Sequence, residues 1–174
     1  MPDLSRNALL ASVAGGLVGG LIGAGVMSAG HTLLARITHD QRDEDRKDED
    51  QEEDATIKVA DRLSRAVRRR PLASHETPAA ANLVHYGFGA AMGAVYGAAA
   101  AVAPATTVGV GLGFGASVWL GAHAIVVPAL GLARSPVREA PGKEGRELML
   151  HLAYGVTVEL VRRAVRLGAG LSVP

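Results

Sequence analysis

Ionisable side chains stand inside long apolar stretches of this sequence. His151 and Glu159 lie in the segment HLAYGVTVEL, whose other residues are nearly all apolar or small. His85 and His123 lie in a stretch, residues 79–133, that contains no Asp, Glu, Lys or Arg. An ionisable group at membrane depth costs free energy unless it is paired or lines a wet cavity, which makes such groups candidates for function. We therefore take His85, His123, His151 and Glu159 as a candidate polar site inside the membrane.

The spacing of these residues predicts that the histidines share one layer. If the apolar segments form antiparallel helices, all three histidines lie near the same side of the membrane, because His85 and His151 are close to the start of their helices and His123 is close to the end of its helix. Glu159 follows His151 by eight residues, which places it roughly 12 Å deeper on about the same helical face. We expect at least two of the three histidines to face inward, because an imidazole in lipid would lose its hydrogen bonds.

Three kinds of chemistry fit this set. The histidines and Glu159 could form a polar path for a proton, an ion or a small solute. The three histidines could instead ligate a divalent metal or a haem, although their spacing forms no local motif such as H-x-x-x-H. They could also make interhelical hydrogen bonds, with Glu159 paired to Arg162 or Arg163 one turn away. The chain has no cysteine and shows no nucleophilic Ser/His/acid arrangement, so we do not expect an enzyme.

Four apolar segments must position these residues. A helix needs about 20 apolar residues to cross the hydrocarbon core of a bilayer, and a shorter segment can span with flanking charges at the interface. The sequence therefore predicts a single all-α domain over residues 1–174, a multi-pass, four-transmembrane-helix bundle with a long charged loop between the first two helices. The predicted spans are residues 8–30, 79–103, 106–132 and 147–161, and the loop is residues 31–78.

Glycines recur every four residues in the first two spans. The first carries Gly15, Gly19 and Gly23, and the second repeats the spacing from Gly89 to Gly97. Glycines four apart form a groove that lets another helix backbone approach closely. The groove serves either packing within one chain or, most readily for the first span, a homo-oligomer contact.

The predicted loop divides into an acidic and a basic half. Residues 40–54 hold ten acids against three bases, and residues 55–70 hold six bases against one acid. In the basic half, four bases fall on one helical face: Lys58, Arg62, Arg65 and Arg69. This pattern predicts an amphipathic helix that contacts lipid headgroups, or alternatively a solvated helix whose bases pair with the acidic half. A net charge of +1 gives no field that favours nucleic acid.

From about Leu83 to Arg166 the sequence resembles the YagU family of bacterial inner-membrane proteins. The resemblance rests on His85 followed by small residues and Tyr96, on HAIVVPALGL from His123, and on the later elements EL at Glu147, HL at His151 and ELVRR at Glu159. It implies a small polytopic protein of the bacterial inner membrane, in a family without an established biochemical activity. The acidic and basic blocks of the loop are not part of the resemblance.

Two functions are therefore expected. In the first, the protein is a small inner-membrane protein whose His/Glu site conducts protons or a small solute. In the second, it is a non-catalytic structural or assembly subunit, which uses its glycine faces and charged loop to hold partners in a membrane complex.

Overall fold

The computed structural model describes residues 5–37, 56–121 and 141–173. Within these ranges the chain is helical and contains no strand, which confirms the all-α class for the part described. The helices are α1 (Arg6–Ile37), α2 (residues 56–68), α3 (Thr77–Val102), α4 (Leu112–Val118) and α5 (Pro141–Gly168), with a 3-10 turn at Pro104–Thr107 between α3 and α4.

Helix α1 is the centre of the bundle and packs against α5 and α3 through two adjacent glycine faces. On the first face, a methyl group at Gly19 would meet the carbonyl oxygen of Val158 in α5 at 2.8 Å. On the second, a methyl group at Gly20 would meet the carbonyl carbon of Gly89 in α3 at 2.8 Å. Gly15 faces Arg162 whereas Gly23 faces Tyr154, so α1 and α5 run antiparallel.

The glycine groove of the first span is occupied by packing within the chain. The first face carries Gly15, Gly19 and Gly23, and the second carries Gly16 and Gly20; both are covered by helices of the same chain. Close backbone packing within one chain therefore occupies the groove that an oligomer contact would have needed.

The third predicted span begins later than expected. Gly109, Val110 and Gly111 have φ angles of +78°, +53° and +83°, and three successive residues with positive φ cannot continue a right-handed helix. Helical structure begins at Leu112 instead of Thr106 and runs to Gly121. The remainder of this span, including His123, lies outside the described residues, as does the acidic block at residues 40–54.

The predicted loop is shorter than expected at both ends, because α1 continues to Ile37 and α3 begins at Thr77. Its basic half forms α2. Among the described helices, α1 alone is long and apolar enough to cross a membrane by length and composition, with an 18-residue stretch of mean hydropathy 1.9.

Candidate functional site

Glu159 is the centre of a buried polar cluster. Its side chain is fully buried and accepts four hydrogen bonds. Arg162 donates two of them, from Nε to Oε2 at 2.7 Å and from Nη2 to Oε1 at 2.9 Å. Arg163 Nε donates to Oε1 at 2.6 Å, and the Tyr96 hydroxyl donates to Oε2 at 3.0 Å. A carboxylate offers about four lone-pair positions, so the acceptor capacity of Glu159 is filled.

This cluster joins three helices. Glu159, Arg162 and Arg163 belong to α5, and Tyr96 belongs to α3. Arg162 Nη1 also donates to Ser12 Oγ of α1 at 3.1 Å, in a position where both side chains are fully buried. We call these five residues the Glu159 clamp; it cross-links α1, α3 and α5 at one level.

Local sequence explains how the side chains of Glu159 and Arg162 fit between close-packed helices. Arginines three and four residues after a glutamate lie over it on the same helical surface. Glycines leave the space around them: a methyl group at Gly111 would meet Glu159 Cβ at 3.0 Å, and one at Gly15 would meet Arg162 Cα at 3.0 Å. The glycine faces therefore accommodate the clamp as well as the helix backbones.

Arg166 makes a second cross-link, one turn further along α5. It is buried, and its Nε and Nη2 donate to the Ser172 carbonyl at 3.0 and 2.7 Å. Its Nη1 donates to the Ala8 carbonyl at 3.0 Å. The start of α1 is thus fixed to α5 and to the segment that follows it.

Aromatic side chains hold Tyr96 in place. Its ring stacks on Phe114 of α4 with centroids 4.4 Å apart, and Phe114 also contacts the Tyr154 ring at 5.8 Å. Tyr154 donates its hydroxyl to the Gly89 carbonyl at 2.7 Å, which adds a bond between α5 and α3. These contacts leave Tyr96 directed at Glu159.

Two of the predicted histidines, His85 and His151, lie within hydrogen-bonding distance of helix carbonyl groups, and His85 also contacts Ser28. His85 Nε2 lies 3.3 Å from both the Ser28 hydroxyl and the Ala24 carbonyl of α1. His151 is buried, and its Nδ1 lies 2.8 Å from the Glu147 carbonyl. Because a carbonyl only accepts, Nδ1 of His151 carries the proton in this bond. The bond is local to α5 and does not cross between helices.

The structure separates the predicted site into two levels along α1. His85 lies beside Ala24 and Ser28, and His151 follows Leu150, which packs beside Gly30. Glu159 instead lies with the clamp, whose Arg162 packs beside Gly15. In the ranges that the structure covers, no three His, Asp or Glu side chains converge as a metal-binding group, and His123 is outside those ranges. Within the described ranges, His85 and His151 are therefore not part of a three-ligand metal group.

Sequence reasoning missed three members of this site. Ser12, Tyr96 and Arg166 were not among the candidate residues, although each is buried and hydrogen-bonded. For Ser12 and Tyr96, the available signals were a polar residue in the apolar run of α1 and a tyrosine among the alanines and glycines of α3. Neither identifies a partner, because the contacts join residues far apart in the sequence.

The predicted basic face lies on α2, with one exception. Lys58, Arg62 and Arg65 lie on the helix, but it ends at residue 68 and Arg69 has a φ of +54°, so Arg69 is not on that face. Arg65 Nε donates to Asp61 Oδ2 at 2.7 Å. This bond, together with one from the Leu72 amide, lowers the pKa of Asp61.

Two further arginines converge on Glu76, immediately before α3. Arg70 donates to both carboxylate oxygens, at 3.0 and 2.7 Å, and Arg68 Nη2 donates to Oε1 at 3.0 Å. The Arg70 bonds, followed by a bond from the Ala73 amide, lower the pKa of Glu76 from 4.5 to about 2. Some of the bases in this region therefore pair with acids close by in the sequence.

Comparison with known proteins gives one result about the family. Neither the curated proteins nor the solved structures include a significant match. The model of one family matches residues 62–160, which contain most of α2, all of α3 and α4, and α5 as far as Leu160. Since this match covers more than half of the 174 residues, the chain belongs to the family described as "Protein of unknown function (DUF1440)".

Proposed function

We propose that this chain is a multi-pass protein of the bacterial inner membrane, of the YagU type, and that it serves as a non-catalytic structural subunit. Its polar core would lock a helical scaffold, and its outer surface would hold lipid and partner proteins. The observation that carries the proposal is the Glu159 clamp, in which one carboxylate with filled acceptor positions joins α1, α3 and α5.

The outer surface supports placement in a membrane. Large apolar side chains are exposed along the three long helices, whereas the charges of the clamp are turned largely inward. Large exposed apolar patches are rare on soluble monomers and often mark contacts with a membrane or a partner. The exposed residues are Leu9, Leu10, Leu17, Val18, Leu21, Ile22, Val26, Leu33 and Ile37 on α1, Leu83, Phe88, Val95 and Val102 on α3, and Met149, Leu160 and Leu167 on α5.

The lengths of these apolar stripes suit a bilayer. At 1.5 Å per residue, the stripe from Leu83 to Val102 on α3 is roughly 28 Å long, and that from Met149 to Leu167 on α5 is roughly 27 Å long. Both are close to the thickness of a hydrocarbon core, about 30 Å. We propose α1, α3 and α5 as three of four spans, and the segment that starts with α4 as the fourth.

Bonding at Glu159 favours a structural role over proton conduction. A proton carrier must alternate between its charged and neutral forms, but Glu159 is held by two guanidinium groups and a hydroxyl that would all have to give way. One observation favours conduction as the second candidate. His31, His85 and His151 come from three helices, and His31 Nδ1 lies 3.7 Å from Glu147 Oε1.

Proton flux into proteoliposomes distinguishes the two candidates. We expect the wild-type protein, His151→Ala and Glu159→Gln to give the flux of empty vesicles. A wild-type flux well above that level that falls in His151→Ala would replace the structural proposal with conduction. A known proton channel, reconstituted in the same lipids, is the control for sensitivity.

We also propose that α2 lies on the lipid headgroups. Leu63 and Val67 of α2 are 54% and 80% exposed, and residues 56–76 carry six bases against two acids. Each base near an anionic surface contributes about 1 kcal/mol.

Because the chain has no cysteine, an environment-sensitive dye on Val67→Cys tests the placement of α2. Its emission should shift to the blue in anionic vesicles and return in high salt, and an equal shift in neutral vesicles would contradict the electrostatic account.

A further inference from the structure

Arg163 differs from Arg162, the other arginine of the clamp, in its exposure. Its side chain is 33% exposed, whereas that of Arg162 is fully buried. Its Nε is bonded to Glu159 at 2.6 Å, but its two amino groups, Nη1 and Nη2, donate no hydrogen bond within the part of the chain that the structure describes. One half of this guanidinium group is therefore fixed from inside and the other half faces outward.

The surroundings of Arg163 are apolar. It lies three residues after Leu160 and four before Leu167, which places all three on one side of α5. Both leucines are exposed, at 53% and 64%. Arg163 thus interrupts the apolar stripe that our proposed function assigns to the lipid side of α5.

The charge of the clamp is not balanced. Two guanidinium groups share the single carboxylate of Glu159. Arg162 donates one hydrogen bond to each of its two oxygens. The cluster therefore has a net charge of +1, and the outward half of Arg163 is where an additional anion could reach it. Cations at membrane depth are normally paired with an acid or an acceptor.

The depth and direction of Arg163 disfavour a lipid headgroup phosphate as this anion. Arg162 packs beside Gly15, which is six residues, or roughly 9 Å, along α1 from Leu9 at the end of the exposed apolar stripe. Helical side chains lean toward the N terminus of their helix, so Arg163 leans toward Glu159 and away from that end of the bundle. Reaching a headgroup phosphate there would require the side chain to turn away from Glu159.

We propose that Arg163, with Leu160 and Leu167, is a docking site for a transmembrane helix of another protein that presents a carboxylate at this depth. The paired amino groups of a guanidinium bind the two oxygens of a carboxylate side by side, and the leucines would pack on either side of it. This inference rests on the proposed membrane location and names the partner's chemistry.

A second copy of this chain fits the site poorly. Between Met149 and Leu167 the carboxylate is Glu159, which is fully buried. Two copies meeting through this face of α5 would bring one Arg163 against another, and like charges at membrane depth repel. Charge complementarity therefore favours a different helix that carries an acid.

Energy transfer in neutral-lipid vesicles tests the site with the full-length protein. The protein carries a donor dye. The probes are three polyleucine transmembrane peptides with an acceptor dye and a Glu, Gln or Leu placed roughly 9 Å from one end of the polyleucine stretch, at the depth of Arg163. The Glu peptide should associate roughly tenfold more tightly than the Leu peptide, as expected for polar contacts between membrane helices. Arg163→Leu should remove this preference, Arg163→Lys should keep part of it, and Arg6→Leu, outside the apolar stripe, should leave it unchanged.

Several results would overturn the proposal. Equal binding of the Glu and Leu peptides would do so, as would a preference that persists in Arg163→Leu. Loss of the preference when anionic lipid is added would assign the site to headgroups, and transfer between labelled copies that depends on Arg163 would assign it to the chain itself. Flotation of the vesicles checks insertion separately: failure to insert refutes the membrane location, whereas insertion without a Glu preference refutes the docking site alone. Arg163→Gln replaces Arg163→Leu if the latter does not fold.

Discussion

The Glu159 clamp makes a quantitative prediction about stability. Glu159→Gln keeps the size of the side chain but removes its negative charge. Arg162, which is fully buried and bonded twice to Glu159, would then have no counter-charge. The amide NH₂ of the glutamine would also replace one carboxylate oxygen, so a donor would face the N–H donors of the arginines. The substitution therefore changes charge and hydrogen bonding with little change in packing volume.

The expected loss follows from what remains around the site. Removing one partner of a buried ion pair generally costs about 3–5 kcal/mol. Arg163 is partly exposed and can turn outward, so its charge need not stay unpaired in the core. We therefore expect a loss near the lower limit, about 3 kcal/mol in the free energy of unfolding.

Reversible unfolding in mixed micelles, followed by circular dichroism of the helices, measures this loss. The matched control replaces both charges, as Glu159→Leu with Arg162→Leu, because apolar groups of similar volume can substitute for a buried pair with little loss. We expect the double variant to be more stable than Glu159→Leu alone. A Glu159→Gln protein within about 1 kcal/mol of the wild type, or a double variant no more stable than the single one, would refute the reasoning.

Three more predictions follow from helix packing, from Tyr96 and from Glu76. Gly20→Ala should lower the unfolding free energy by about 1–3 kcal/mol through backbone overlap, whereas Gly87→Ala, which meets open space, should be neutral or slightly stabilising; the same unfolding assay measures both. Tyr96→Phe should cost about 1.5 kcal/mol, the value of one hydrogen bond to a charged group, and an unchanged stability would contradict its role. The Glu76 carboxyl should titrate by carbon NMR with a pKa of about 2. Since its pKa is lowered from 4.5, its stabilising bonds are complete above pH 4.5 and are lost as the pH falls toward 2, and a midpoint near 4.5 would contradict them.

Sequence reasoning predicted the parts of this structure that depend on local spacing. The three long helices contain the predicted apolar runs, although α5 extends beyond its run at both ends, from Pro141 to Gly168 instead of from 147 to 161. Helix α2 coincides with the basic amphipathic segment, and the pairing of Glu159 with Arg162 or Arg163 follows from spacings of three and four. The glycine spacing indicated close approach of helix backbones, which the faces of α1 display.

The rest depends on packing between distant segments. Tyr96 lies 63 residues from Glu159 and Ser12 lies 150 residues from Arg162, and no local pattern links such pairs. The break before α4 was also missed, because the positive φ of Val110 is unusual for a β-branched residue and is not indicated by its residue type. Basic residues repeat beyond the end of α2, so the pattern wrongly included Arg69 on its face.

Depth measurement at Leu160 tests the central claim most directly. Leu160 follows Glu159 and is exposed on α5, and the absence of cysteine allows a single spin label on Leu160→Cys in reconstituted protein. If the clamp lies inside a membrane-spanning bundle, the label should collide frequently with oxygen and rarely with a water-soluble nickel complex. A matched spin label on Arg65→Cys in α2 should collide more often with the nickel complex than the label at Leu160 does. Nickel accessibility at Leu160 equal to that at Arg65 would contradict the account, because it would place the clamp's outer face in water.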